Sequence, residues 1–359
     1  MRGRPLLGLS TMTVVSVLMV LPLGPDRGEA GQVGSMYRAL EPIRHGNLTI
    51  FPVVADRSHD TKDFLTLDEG LRSGEMVVSE AGSIQPLIRG RVRPMPPGPQ
   101  VNQLLLVNNS KRPLILLAGE ILTGGKQDRV VGKDRIVPAE SDPIDLAVFC
   151  VEPHRWVGAK SYFGPFHSQM AQPSVRKSAM ADQDQGKVWS EVHSSAMAMA
   201  AAVPPAASAI QSTSSYAGVM GNDEVMQHVE KVAGPLEQSY EGVIRELRDR
   251  SAVGVVVAVN DQIIWADLFA STALLEKYWP KLIRSYAAEA LTRSTSSGRP
   301  DLKAAEAFLK DFEARHETVE SEPGVFRRRE LQGEGFTAFE LTSLLPGTDF
   351  NIHIAKMAD

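Results

Sequence analysis

PLILLAGEILTGGKQDRVVGKDRIVPAESDPIDLAVFCVEPHRW, residues 113–156, is the stretch on which the reading of this chain turns. It opens on an apolar run, 113–118, and enters a glycine-bounded turn carrying Glu120, Lys126, Gln127, Asp128 and Arg129. Apolar runs return at 135–138 and 144–151, and the stretch closes on Glu152, His154, Arg155 and Trp156. Polar groups therefore sit at the ends of short strand-like runs. β scaffolds carry sites in this way, because the strands are rigid and the turns between them hold the chemistry.

Upstream, the run 48–54 is rich in β-branched and apolar residues and predicts a strand, with Pro52 marking an edge or a bulge. Thr66-Leu67-Asp68-Glu69 is a capping box, which predicts a short helix over 67–73 ended by Gly74. Strands are expected at 76–79 and 101–107, and the proline-rich 91–99 reads as a surface loop. Several short strands separated by turn signals predict a β-rich first half, an antiparallel sandwich or barrel-like sheet.

Downstream the character changes. Residues 185–192 have helical spacing, with Val188, Trp189 and Val192 on one face. Residues 194–221 are low in complexity and are expected to be a poorly ordered insertion. A helix is expected over 223–232, broken at Gly234-Pro235, and a second to about residue 250. The valine run 253–259, a turn at Asn260-Asp261 and the run 262–269 read as a hairpin. Ser271 caps a helix to about 291 whose apolar face is Leu275, Trp279, Leu282, Tyr286 and Ala290, kinked at Pro280. A helix capped by Asp301 and three strands, at 324–331, 336–341 and 350–356, finish the chain. The fold class is α+β: a β-rich first half, then a hairpin with helices.

The 359 residues carry a net charge of −5, which argues against a nucleic-acid binder, since that needs a basic face. Arg2 and Arg4, the apolar 6–23 and the small residues up to Ala30 read as a signal peptide over 1–30, cut after Ala30; an uncleaved membrane anchor is the rival. A periplasmic or secreted protein follows, touching a membrane only through that segment if it is uncleaved. The single cysteine, Cys150, gives no internal disulfide.

Gly124-Gly125-Lys126 resembles a phosphate loop but fails it, because counting from Gly119 puts Gly125 where the lysine should stand, and counting from Lys126 puts Gln127 where a Ser or Thr should. A glycine turn between strands is the competing reading. The charges Lys126, Arg129 and Arg155 can still form a lip for an anion. Glu120 and Glu152 stand at strand ends, and two readings stay open for them. They face each other across a pocket as acid and base, or they form ion pairs with Arg129 and Arg155. Asp267, mid-strand among Trp265, Ala266, Leu268 and Phe269, must be paired or face a cleft, and is a candidate third acid. Cys150 reads as a packed small hydrophobe. Glu120, Glu152 and His154 lack the spacing of a metal site, and no cofactor is legible.

The strings GEILTGGKQDRVV, FCVEPHRW, QGKVW and VGVVVAVNDQIIWADLF, then the helix with Tyr278-Trp279 and Lys281-Leu282, resemble the ADP-ribosylglycohydrolase- and rhodanese-phosphatase-associated protein domain family of bacteria. The resemblance covers roughly residues 35–292, leaving 300–359 as a C-terminal helix and β extension. It falls on Gly119, Glu120, Gly125, Lys126, Gln127, Arg129, Cys150, Glu152, Arg155, Trp156, Gln185, Trp189 and Asp267. Pro153-His154 departs from it, because the family more often has a glycine before the arginine. The family is named for gene neighbours acting on ADP-ribose and related chemistry, which implies at most a link to ADP-ribose-like or phosphorylated ligands. The expectation is an exported protein that binds, and in the stronger form hydrolyses, an anionic small molecule. Glu120, Glu152 and Asp267 would be its acids, and Gly124, Gly125, Lys126, Gln127, Arg129, Arg155 and Trp156 its ligand-binding residues. The alternative is a non-catalytic exported structural or interaction protein.

Overall fold

The valine hairpin lies inside the largest sheet. A computed structural model describes residues 17–19, 36–80, 101–153, 155, 162–164, 169–247 and 251–359. In it Ser251–Val259 and Gln262–Phe269 pair antiparallel, and Asn260 takes the left-handed turn conformation that asparagine tolerates. A ten-stranded antiparallel sheet grows from both sides of this hairpin. On one side lies Leu48–Ala55, edged by the short Tyr37–Ala39 and Ile43–His45. On the other follow Phe350–Ala358, Phe336–Ser343, Phe326–Gly333, Ala314–Glu322 and Val17–Met19. Pro52 fits because the two short edge strands pair with 53–55 and 48–50, leaving the residue without an N–H in the gap between them.

The first half also builds a closed six-stranded barrel from Met76–Glu80, Gln103–Asn108, Ile121–Gly124, Arg129–Val131, Ile144–Cys150 and Tyr162–Gly164. Its interior is filled by Val78, Leu104, Leu106, Leu122, Val131 and Phe163, so it is a packed core. Beside it Leu65–Thr66, Leu114–Leu116 and Arg135–Val137 form a small sheet. The capping box is present: Thr66 and Glu69 exchange hydrogen bonds at the start of Leu67–Ser73, and Gly74 closes that helix at φ +73°. The α+β expectation holds, with a barrel-like sheet in the first half and the hairpin bound to strands from both ends of the chain.

The helices Asp223–Glu246 and Thr272–Leu291 cover one face of the large sheet, and Leu302–Lys310 covers the other. Three expectations need correction. Residues 194–221 belong largely to the helices Gln185–Ala202, Ala207–Gln211 and Tyr216–Met220. Met199, Val203, Ile210, Tyr216 and Val219 are buried there, enough to offset the ordering entropy. Asp223–Glu246 is one continuous helix with Pro235 inside it, held on its inner face by Val229, Ala233, Leu236 and Tyr240. Four strands finish the chain, the extra one being Ala314–Glu322, whose polar face pairs its acids with arginines of Phe326–Gly333. Residues 91–99 lie outside the described residues.

Candidate functional site

The glycine turn joins two barrel strands. Gly124 and Gly125 have φ of +123° and +53°, and a Cβ on Gly125 would stand 2.4 Å from Phe163 and 2.6 Å from the Glu80 carboxylate. Glycine is needed because a carboxylate of the chain itself occupies the concavity. The Lys126 N–H donates to Glu80 Oε1 at 2.7 Å, and the Gly124 N–H to Asp128 Oδ1 at 3.1 Å. Two of the backbone donors that would cradle a phosphate are thus spent internally. Arg129 is fully buried, with Nη2 3.9 Å from Glu80 Oε1.

Glu152 closes a second knot. Its carboxylate accepts the Asp128 N–H at 3.1 Å and lies 2.6 Å from Arg155 Nη2, while its carbonyl accepts Gln127 Nε2 at 3.1 Å. Arg155 also lies 3.5 Å from Asp128, and Ser215 donates to Asp128 Oδ2 at 2.8 Å. Burial raises the Asp128 carboxyl, against the pull of the Ser215 hydroxyl. The Glu152 hydrogen bond raises Arg155. Burial raises the Cys150 thiol, which keeps it protonated and fits a packing role. Gln185 brackets the Cys150 backbone with two hydrogen bonds of 2.9 Å, accepting its N–H and donating to its carbonyl. His154 and Trp156 lie outside the described residues.

Glu120 is elsewhere. Its Oε1 lies 2.5 Å from Lys281 Nζ, and its Oε2 accepts the Leu117 N–H at 2.8 Å. Lys281 also reaches Asp68 Oδ2 at 2.9 Å. Burial, and the negative charge of Asp68, push the Glu120 carboxyl up against the attraction of Lys281. Two carboxylates around it overcome desolvation and keep Lys281 protonated. Glu120, Glu152, Arg129 and Arg155 therefore have different partners: Lys281 for Glu120, Arg155 for Glu152, and Glu80 for Arg129. The face-to-face pairing of Glu120 with Glu152 is not what these contacts build.

Asp267 is paired. Arg176 grips it with Nη1 at 2.8 Å and Nη2 at 3.0 Å, His353 Nε2 lies 3.1 Å from it, and the Tyr286 hydroxyl donates to it. His353 Nδ1 meets Asp134 at 2.6 Å, and Asp134 accepts the Ala118 N–H at 2.7 Å. Arg176, Asp267, His353 and Asp134 side chains have 0% exposure. Burial alone would raise the Asp267 carboxyl, but Arg176 and His353 hold it far below the carboxylate range. Burial alone would lower His353, but Asp134 and Asp267 lift it to about 9. Two cations and two anions then balance in the dry interior. Gly119 makes room, because a Cβ there would stand 2.5 Å from the Arg176 side chain.

A cleft of about 960 Å³ opens between the helix Leu67–Ser73 and the helices Asp223–Glu246 and Thr272–Leu291. Lys281 lies in its wall at 4% side-chain exposure, with Glu120 bonded to it. The two carboxylates take two of its three protons. Arg284 is spent on Glu230 and Glu237. Arg72, also lining the cleft, is exposed and has no acidic partner among the described residues. Gln169 Oε1, in the same wall, is buried with no donor among the described residues.

Sequence reasoning missed Lys281, Arg72, Arg176, Asp134 and His353 as site or network residues. The signals were thin: a lysine beside the apolar face of 272–291, and a histidine between Ile352 and Ile354 in a strand. Among the described residues no group of three or more His, Cys, Asp or Glu is placed to hold a metal. No helix among them is long and apolar enough to cross a membrane.

A barrel docked against a ten-stranded sheet, with a helix-walled cleft, defines an α+β protein with a ligand-sized opening. The chain belongs to the ARG and Rhodanese-Phosphatase-superfamily-associated Protein domain family, which it matches over residues 36–356. The match runs past residue 292, where the quoted motifs end, and takes in the C-terminal strands. No curated protein and no solved structure matched the chain.

Proposed function

We propose that the protein binds a small molecule carrying an anionic group in the cleft beside Leu67–Ser73. The observation that carries this is Lys281, a nearly buried ammonium in the cleft wall, held by Glu120 and Asp68 and lying 4.5 Å over the Tyr278 ring. Arg72 supplies a second cation with no competing acid among the described residues, and its planar fork suits a phosphate or carboxylate. Gln169 Oε1 waits for a donor on the same guest. Cleft volume and mixed lining are those of a small-molecule site. Binding is assigned ahead of hydrolysis, because Glu120, Glu152 and Asp267 are each engaged with a cation. Export remains part of the proposal and rests on residues 1–30.

Titration calorimetry with inorganic phosphate, pentose phosphates and ADP-ribose tests this; the last is included because the family resemblance implies it. Arg72→Ala should weaken binding by roughly ten- to a hundredfold, the value of a charge-assisted hydrogen bond. Equal affinity in the variant, or heat from none of the probes, rejects the cleft. A structural role is kept for one region by a specific observation: Asp128, Glu152, Arg155 and Ser215 tie the barrel to the helix Tyr216–Met220.

A further inference from the structure

A second, smaller cavity of about 130 Å³ lies behind the cleft wall, under the helix Gln185–Ala202. Met220 lines both the cavity and the cleft, so its side chain forms part of the wall of each. Methionine is unbranched and adaptable, which makes such a shared wall easy to move.

The hydroxyls facing this cavity are not equivalent. Ser214 donates to the Pro153 carbonyl at 2.5 Å and Ser215 to Asp128 at 2.8 Å, so both protons are used. Tyr216 accepts the Gln172 N–H at 2.9 Å, and burial pushes its phenol up, so its proton stays on and is left to give. Thr213 accepts the Ser215 N–H at 3.1 Å and likewise has a proton without an acceptor among the described residues. Tyr216 is 3% exposed, so its unused proton is a buried donor. Val192, Met199 and Val219 give the apolar part of the wall, and Gln172, His193 and Ser195 add further polar groups to it. A cavity near 150 Å³ holds a benzene-sized ring. A purely apolar ring would leave the buried Tyr216 proton unmet, whereas a hydroxylated ring offers acceptors for it and for the half-buried Thr213, and carbon for the apolar part of the wall.

We propose that cavity and cleft are two halves of one site, and that the guest is a phosphorylated sugar. Its phosphate lies at Arg72 and Lys281, and its ring passes Met220 to lie against Tyr216 and Thr213. This rests on the cleft reading above and adds the chemistry of the other end of the ligand.

The test compares inorganic phosphate with ribose 5-phosphate by titration calorimetry on the wild type, Thr213→Val and Ser195→Val. Thr213→Val removes one donor, and Ser195→Val adds bulk to the cavity wall. The wild type should bind ribose 5-phosphate at least tenfold more tightly than phosphate. Both variants should keep the phosphate affinity, which also reports that the fold is intact. Their preference for the sugar phosphate should fall to within about threefold of none. If phosphate binds and the sugar adds nothing, or if both variants keep the full preference, the second half of the site is rejected while the cleft stands. If neither probe binds the wild type, the cleft reading fails and takes this one with it.

Discussion

Replacing Asp267 by Asn should be among the most damaging conservative changes in the chain. The carboxylate accepts from both Nη atoms of Arg176 at 2.8 and 3.0 Å, from His353 Nε2 at 3.1 Å and from the Tyr286 hydroxyl. An amide keeps the shape but turns one oxygen into a donor facing donors, and it removes the charge. Arg176 and His353 would then share only Asp134, one net positive charge at 0% exposure. Removing one partner of a buried pair costs about 3–5 kcal/mol, a large part of the 5–15 kcal/mol that typically holds a fold together. Urea denaturation followed by circular dichroism reads the loss as a lower midpoint at similar slope. Arg176→Met combined with Asp267→Leu should be far less harmful than either alone, because no unpaired charge remains. A loss under about 1 kcal/mol for Asp267→Asn, matching a change of the exposed turn residue Asp261→Asn, would refute the reasoning.

Three further outcomes can be measured. His353 is raised to about 9 from 6.5, so its contribution is fully present below about 6.5 and is lost as pH rises through about 9. Its size is roughly 3 kcal/mol. Lys356 is lowered to about 8 by burial and changes stability in the opposite sense, so the readout is the wild-type midpoint minus that of His353→Gln, at pH 6 and pH 9.5. A difference that does not shrink toward alkaline pH contradicts the assignment. Gly125→Ala should cost about 1–3 kcal/mol, since the residue sits at φ +53° and its Cβ meets Phe163 and Glu80; an unchanged melting temperature would contradict it. The proposed export is checked by expressing the full chain in a bacterial host: recovery from the periplasm with an intact mass that begins at Gly31 is the expected result, and a mass retaining residues 1–30 points to the uncleaved anchor.

Much of the scaffold was legible because local signals agreed with tertiary ones. The valine hairpin, the Thr66–Glu69 capping box and the Ser271- and Asp301-capped helices stand where period and caps put them. Ala314–Glu322 escaped because ARHETVESE has few apolar positions; its acids are matched by Arg328 and Arg329 on the neighbouring strand, a pairing no single segment reveals. Pro235 read as a break because proline removes a helical hydrogen bond, but burial of Leu236 and Tyr240 keeps the helix running. The site was less legible than the fold. Glu120, Glu152 and Asp267 were recognisable as acids needing partners, yet the partners Lys281, Arg155 and Arg176 come from 161, 3 and 91 residues away. Only the near one could be found by spacing. Trp189 was expected to pack with Val188 and Val192, and it is 38% exposed because its helix buries a narrower face.

The central claim is that an anion enters the cleft at Arg72 and Lys281. Phosphate titrated into ¹⁵N-arginine-labelled protein, observed at the guanidinium resonances, tests it most directly. Saturable shifts at Arg72, abolished in Arg72→Ala and absent at the buried Arg176, are the predicted result. Shifts spread over many arginines in proportion to ionic strength, with none that saturates at Arg72, would contradict it.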